Sequence, residues 1–406
     1  LLTRAVLCAA LSATGTWAQV SARDLASFDQ VWQTVRDTHW QKQPGGLDWD
    51  AMRAEYRPRV ENAATTDEAR AATMEMLRRL KQTHFGIVPG TIYSAIEAGG
   101  VPLGAGSPGI ELRAIGGEAV VTSIEPGSPA ERAGVHPGWV VESLKPRPEL
   151  QELQQARALM AGLTGPVGDV IAVTFVDGDG ERVTKRLELD APRGTITEFG
   201  NLPPMPVWYE EKRLGTVGYI RFNAFLDIPR LMPAFEKSVA GCKACSGLIV
   251  DLRGNPGGIG GMAMGMAGFL VDKPGQRLGT MYMRDATLNF VVNPRAELFD
   301  GPVAVLIDGT SASTAEIFAG GLQDMGRARV FGTRSAAAAL PSAFVRLPNG
   351  DGFQYAIANY VSANGKALEG EGVHPDEEVR LTRQGLLAGH DAVVDAAIQW
   401  IEGVKK

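Results

Sequence analysis

Val303-Ala304-Val305-Leu306-Ile307 runs directly into Asp308-Gly309-Thr310-Ser311-Ala312-Ser313-Thr314-Ala315-Glu316. The apolar, β-branched run reads as a buried strand. The stretch after it, with Ile317 and Leu322, reads as a helix over 314–325. Small hydroxyl residues therefore sit on a tight strand-to-helix turn, next to the free N–H groups of a helix start. A serine placed there can attack a carbonyl, and those N–H groups can hold the resulting oxyanion. Ser311 and Ser313 are both candidates, and simple helix capping is the competing reading for each.

Working outward, 215–331 alternates strands and helices. Strands are expected at Thr216–Phe222, Gly247–Leu252 and Ala328–Phe331, with helices over 229–240 and 260–271. That alternation predicts an α/β core with a mostly parallel sheet. Asp251-Leu252-Arg253-Gly254-Asn255-Pro256-Gly257-Gly258 follows one strand. It lacks the Lys-Ser/Thr of a phosphate loop and the ribose carboxylate of a dinucleotide site. Gly257 and Gly258 instead suit close approach of a carbonyl to their N–H groups. Ligands gather at the carboxyl ends of parallel strands, where this loop and the serine turn both lie. Phe353–Tyr360 reads as a further strand, Gln384–Ile401 as a closing helix, and 193–212 as a Pro-rich linker.

Residues 23–43 and 65–81 carry helical spacing, the latter opened by the capping box Thr65-x-x-Glu68. His84 lies at the exit of that helix, where dipole pairing is the bland reading. Residues 99–192 form a small β-rich unit, with strands near 109–112, 119–124, 170–176 and 182–189 and a helix over 149–163. Segment 1–18, Arg4 then an apolar run then small residues to Ala18, reads as a secretory signal, leaving 19–98 as an N-terminal helical segment. An exported protein is the expectation. Cys242 and Cys245 are compatible with a local disulfide or with two thiols. The net charge of −6, without dense basic blocks, argues against a nucleic-acid partner.

Two resemblances sharpen this. Gly-Ser-Pro-Ala-Glu-Arg-Ala-Gly-Val-x-Pro-Gly at 127–138 resembles bacterial PDZ domains, which add a peptide end to a sheet edge. Their carboxylate loop would fall at Ser107-Pro108-Gly109-Ile110, where Pro108 lacks a donor. The glycine loop, the Ser-Ala-Ser-Thr-Ala-Glu run and Gly372-Val373-His374-Pro375-Asp376 resemble the C-terminal (tail-specific) processing peptidases and their tricorn-type relatives. That family resemblance implies a crotonase-like ββα core over 193–406. The lysine base of the processing peptidases falls at Ala338, so a Ser–Lys dyad is absent. The tricorn-type branch implies Ser313 as nucleophile, His84 as base and Glu369 as orienter. Gly257, Gly258 and Thr314 would form the oxyanion hole. Gln82-Thr83 replaces the usual Asp-Gly before the histidine. Glu371 competes with Glu369, and Lys366 is a substitute base read as a solvated residue. Glu316 and Asp324 read as structural acids, and His39, His136, His374 and His390 as bystanders. The implied activity is peptide hydrolysis by an exported serine endopeptidase, with no metal or cofactor. Its partner is a polypeptide, membrane-associated substrates included; oligomeric state is unknown. The rival is a non-catalytic binder of peptide or apolar ligand on the same fold, and a small-ester hydrolase is a third reading.

Overall fold

The computed structural model describes residues 14–97, 106–199 and 202–404. The expected signal segment lies for the most part outside them. Three helices come first: α1 (Thr14–Thr38), α2 (Trp49–Glu61) and α3 (Thr66–Arg78). The sequence pattern does not announce α2, which Asp48 caps by accepting the Ala51 N–H. Trp32 and Trp49 each donate an indole N–H to the other's carbonyl, at 2.8 and 2.9 Å, pinning α1 to α2. Then come β1 (Gly86–Val88) and α4 (Gly90–Glu97).

The small β unit comprises β2 (Ile110–Ile115), β3 (Glu118–Ile124), α5 (Pro129–Arg132), β4 (Val140–Val141), α6 (Glu152–Ala161), β5 (Val170–Val176) and β6 (Arg182–Glu188). Its strands make one antiparallel sheet in the order β2-β3-β4-β5-β6. β2 is an edge strand with α6 packed beside it. Leu112, Val121, Val141, Leu159 and Phe175 fill a core of its own.

The Pro-rich stretch is not a linker. It folds as the hairpin β7 (Thr195–Phe199) and β8 (Leu202–Val207), followed by β9 (Tyr209–Leu214). Prolines are tolerated because β7 and β8 pair only with each other, leaving edges that need no N–H. The central chain is β10 (Val217–Phe222), α7 (Ile228–Gly241), β11 (Gly247–Asp251), α8 (Gly260–Ala267), β12 (Gln276–Met283), β13 (Thr287–Val292), β14 (Val303–Ile307), α9 (Thr314–Asp324) and β15 (Arg329–Gly332). It ends in β16 (Ser342–Arg346), β17 (Gly352–Ala356), β18 (Ala358–Ser362), β19 (Glu377–Glu378), α10 (Arg383–Leu387) and α11 (Ala392–Gly403).

Six strands form the main sheet, in the order β19-β15-β14-β11-β10-β9. All its pairings are parallel except β9 on β10. Alternation on β14 assigns the faces. Val303, Val305 and Ile307 join the core under α7, α8 and α9, while Ala304 and Leu306 meet Val393, Ala397 and Ile401 of α11. All five β14 side chains are fully buried, each large one stabilising by about 1.5–3 kcal/mol.

Two expected elements are split. Phe353–Tyr360 contains β17 and β18, which pair in different sheets. The closing helix breaks at Gly389 (φ 78°), and Asp391 restarts it by accepting the Val393 and Val394 N–H groups. The β16–β17 hairpin ties the N-terminal helices to the α/β core. It leaves that core, pairs with β1, and puts Leu347 and Phe353 among the helices' apolar side chains. Asp351 at its tip holds Arg70 (2.8 Å) and the Gly90 N–H (2.7 Å).

Candidate active site

The strand-to-helix turn separates the two serines. Ser311 is fully buried; its hydroxyl donates to Leu252 O (2.8 Å) and accepts the Asp308 N–H (3.0 Å). It is a strut. Ser313 is partly exposed and has φ 54°, ψ −119°, a left-handed backbone that a non-glycine residue adopts only where its surroundings enforce it. The enforcing group is Glu316, which accepts from the N–H groups of Ser313 (2.9 Å), Ala337 (2.9 Å) and Ala338 (3.0 Å) and from Ser335 Oγ (2.5 Å). Burial pushes its pKa up to about 7 against the pull of those donors. The Ser313 N–H also reaches Ala338 O, at 2.8 Å. The residue at the position of the lysine base therefore touches the Ser313 backbone, and its methyl group carries no base.

The Ala run at 336–339 is a backbone scaffold. Ala337, Ala338 and Ala339 are buried. Their N–H groups tie the serine helix to the next component, because Ala339 donates to Glu369 Oε2 (3.1 Å). The same carboxylate accepts the Thr83 N–H (2.6 Å) and the Thr83 hydroxyl (2.9 Å), and Thr83 Oγ1 lies 2.7 Å from His84 Nδ1. Glu371 is exposed, as is Lys366. Of the two neighbouring acids, Glu369 is the one the structure brings to the histidine segment. It meets the ring through Thr83 and not directly.

Proton counting fixes the direction. A carboxylate only accepts, so the single Thr83 proton goes to Glu369. The 2.7 Å contact must then be His84 Nδ1–H donating to Thr83 Oγ1, which leaves Nε2 with its lone pair. Burial, and secondarily the charge of Arg157 on α6, pull the His84 pKa down to about 4, so the ring is neutral at pH 7. The residue as a whole is half-buried. No hydrogen bond among the described residues joins His84 to Ser313. Of the five non-glycine residues with positive φ among the described residues, Ser313, His84 and Ala337 all belong to this constellation.

The oxyanion expectation needs one correction. The Gly257 N–H is committed to Asn255 Oδ1 at 2.9 Å, because the Asn255 side chain folds back under the loop. Gly257 contributes space: a Cβ there would lie 2.7 Å from both Ser313 Cβ and Thr314 N. The Gly258 and Thr314 N–H groups have no acceptor among the described residues, and Thr314 Oγ1 donates to Gly258 O (2.7 Å), joining the two. His39 is buried and holds Gln82 (2.9 Å) behind Thr83. Asp376 caps β15 by accepting the Val330 N–H (2.8 Å), which is what its Gly-Val-x-Pro-Asp motif does locally. By sequence alone Thr83 reads as a departure and Glu316 as a helix acid. The signal for Glu316 is present, since Ser313-x-x-Glu316 is itself a capping-box spacing.

The small β unit abuts this site. Arg113 of β2 donates to Asp308 (2.9 Å) and Thr310 (3.1 Å), and Arg221 holds Glu111 at 2.8 Å. Among the described residues no helix is long and apolar enough to cross a membrane. Cys242 and Cys245 form a disulfide, which closes that alternative.

Residues 216–379 match the model of Peptidase family S41, and residues 25–78 match the Tricorn protease C1 domain. The chain is 26% identical over 365 residues to carboxyl-terminal-processing peptidase 3, chloroplastic, of Arabidopsis thaliana, covering 86% of this chain and 67% of that one. Among solved structures, a photosystem II D1 C-terminal processing protease superposes with a TM-score of 0.60 at 21% identity, over 91% of this chain and 98% of that one. The tricorn protease superposes at 0.56 and 18% identity, over 94% of this chain and 37% of that one. These two superpositions speak to the fold: a mixed α/β core with small sheets and N-terminal helices. Motifs, fold and both family models agree: residues 216–379 are those of peptidase family S41, and the chain is a homologue of the serine-type C-terminal processing and tricorn-like proteases.

Proposed function

We propose that the chain is an exported serine endopeptidase working through Ser313, His84 and Glu369, with Thr83 as the link between the last two. The observation that carries this is the bonded path Ser313–Ala338/Ala339–Glu369–Thr83–His84, which ends in a neutral ring with Nε2 unprotonated. Serine is a weak nucleophile at neutral pH and needs such a base. In the reaction His84 Nε2 takes the Ser313 proton as the hydroxyl attacks the scissile carbonyl. The imidazolium is steadied by Nδ1–H donation to Thr83, whose hydroxyl donates to Glu369. The Gly258 and Thr314 N–H groups receive the oxyanion. His84 then protonates the leaving amine and activates the water that releases the acyl group. We further assign the core to the crotonase-like ββα type. The Cys242–Cys245 disulfide supports the exported location, since such bonds persist in oxidising compartments.

The missing His84–Ser313 hydrogen bond is what a non-catalytic binder would show. A fluorophosphonate probe decides. The expected result is labelling of the wild type at Ser313, none in Ser313→Ala, and labelling slowed on the order of 10³-fold in His84→Ala. An unlabelled wild type, or a labelled Ser313→Ala, overturns the reading.

A further inference from the structure

Of the histidines other than His84, three lie exposed and His39 is fully buried. An imidazole is costlier to bury than an apolar ring unless its nitrogens are bonded, and at His39 both are. The Gln41 N–H donates to Nδ1 at 3.0 Å, so Nδ1 keeps its lone pair and Nε2 carries the proton. Nε2–H then donates to Gln82 Oε1 at 2.9 Å. The ring stacks on Trp40 with centroids 3.9 Å apart, and on Phe85 at 6.0 Å with the planes 16° apart. His39 directly follows α1 and is anchored to it, its own N–H donating to Val35 O at 3.0 Å.

Gln82 and Phe85 are the residues on either side of Thr83 and His84. The stretch from Lys81 to Phe85 lies between α3 and β1, in no helix or strand. It carries two left-handed residues, Lys81 (φ 54°) and His84 (φ 59°). Such a backbone persists only where its surroundings hold it. The bonds from Glu369 and Thr83 hold the middle of this turn and orient the His84 ring. His39 holds both of its ends from the helical unit, with a hydrogen bond at 82 and a ring contact at 85. A buried polar contact whose groups are all satisfied rigidifies what it joins.

We propose that His39 is a positioning residue for the reaction: acting through Gln82 and Phe85, it fixes the turn on which Thr83 and His84 stand, and so the direction in which the His84 Nε2 lone pair points. The kinetic half of this rests on the serine-peptidase reading; the structural half does not. Two variants of the full chain cut the Nε2–H···Oε1 bond from its two ends. Gln82→Met keeps the length of a half-buried side chain and removes the acceptor. His39→Phe keeps a stacked ring and removes the donor. With the fluorophosphonate probe, each should lower the saturating rate of Ser313 labelling about tenfold and leave the half-saturating concentration within about twofold, because the base is misplaced and the binding contacts are not. Gln82→Met should melt with the wild type. The double variant should lose no more than the worse single one, since both changes remove the same bond. Full labelling rates in Gln82→Met overturn the proposal. So does a double loss equal to the product of the single ones, or a rate that falls only in step with melting temperature. A second readout needs no turnover. In protein with isotope-labelled histidine, the Nδ1 proton of His84, identified by its absence from His84→Ala, should give a hydrogen-bonded imidazole NMR signal. That signal should weaken through exchange with water in both single variants. A signal unchanged in either, or missing from the wild type, overturns the proposal. A wild type that the probe does not label sinks the peptidase reading, while the imidazole signal still judges His39.

Discussion

Ser313 and His84 share a left-handed backbone, with φ of 54° and 59°, yet they are held by different amounts of structure. The serine sits between a fully buried strand and a helix buried throughout from Thr314 to Leu322. Four donors converge on Glu316 to set its turn. The histidine lies on a short connection between α3 and β1, and every residue from Gln82 to Gly90 is only half-buried. One threonine hydroxyl and one carboxylate orient it. Its unit has a separate hydrophobic core, joined to the main one through β1 on β17 and Arg70 on Asp351. The proposed nucleophile is thus built by close packing and the proposed base by a few polar bonds, so the two should fail in different ways.

The largest effect is expected from a methyl group on the packed side. Gly257 has φ 97°, and a Cβ there would lie 2.7 Å from Ser313 Cβ and Thr314 N. Gly257→Ala should lower kcat/KM on the order of 10³-fold, since displacing a nucleophile and its oxyanion donors removes both orientation and charge stabilisation. Gly86, two residues past the histidine, would meet nothing within 4 Å. Gly86→Ala should stay within ~2-fold of wild type. Comparable losses in the two variants, measured by steady-state kinetics, would erase the contrast between the halves.

The polar side is tested at Thr83. Thr83→Val keeps the shape and removes the hydroxyl that links Nδ1–H to Glu369. The expected result is a kcat lower by about 10²-fold with KM and melting temperature unchanged, because only the tautomer and the steadying of the imidazolium are lost. Thr83→Ser, which retains the hydroxyl, should restore most of the rate. A fall in stability matching the fall in rate would mean that Thr83 is packing, and that the histidine half is held like the serine half.

These contrasts explain which parts are legible in the chain alone. The main sheet is legible because β11 and β14 are short apolar runs bounded by glycine turns, and the serine turn because local spacing dictates it. The β9 edge strand and the β7–β8 hairpin are not, since the prolines of β8 make the whole stretch read as a linker until the pairing shows which N–H groups need no partner. Gly257 is legible as a close approach but not as a committed donor; the bond to Asn255 depends on a side-chain rotamer, which spacing does not set. Thr83 reads only as a mismatch. Its role depends on Glu369 lying 286 residues away, a distance no local pattern spans. Ala336 to Ala339 look odd for the same reason: their work is done by backbone groups, which side-chain identity does not advertise.

The smallest effect is a matter of pH, and it separates the two halves without removing either. Burial raises the Glu316 carboxyl to about 7, while burial and Arg157 lower His84 to about 4, so the usual order of an acid and an imidazole is inverted. The N–H groups of Ser313, Ala337 and Ala338 need the carboxylate form. Activity should therefore fall about tenfold per unit as pH drops below 7, with the serine turn and not the histidine losing its order. Stability should move the opposite way. A carboxyl whose folded pKa exceeds its unfolded value of 4.5 contributes stability that is full below 4.5 and is lost as pH rises through about 7. Glu316→Gln, a permanent analogue of the neutral acid, should be weakly active across this window with no limb near 7, and its melting temperature should lack the wild-type decline. The acid sensitivity it retains, at lower pH, belongs to His84 and to Glu369, whose carboxyl burial also raises. A wild-type limb near 7 that persists unchanged in Glu316→Gln would move the titrating group to the histidine side, and with it the claim that the packed half is the one that acid loosens first.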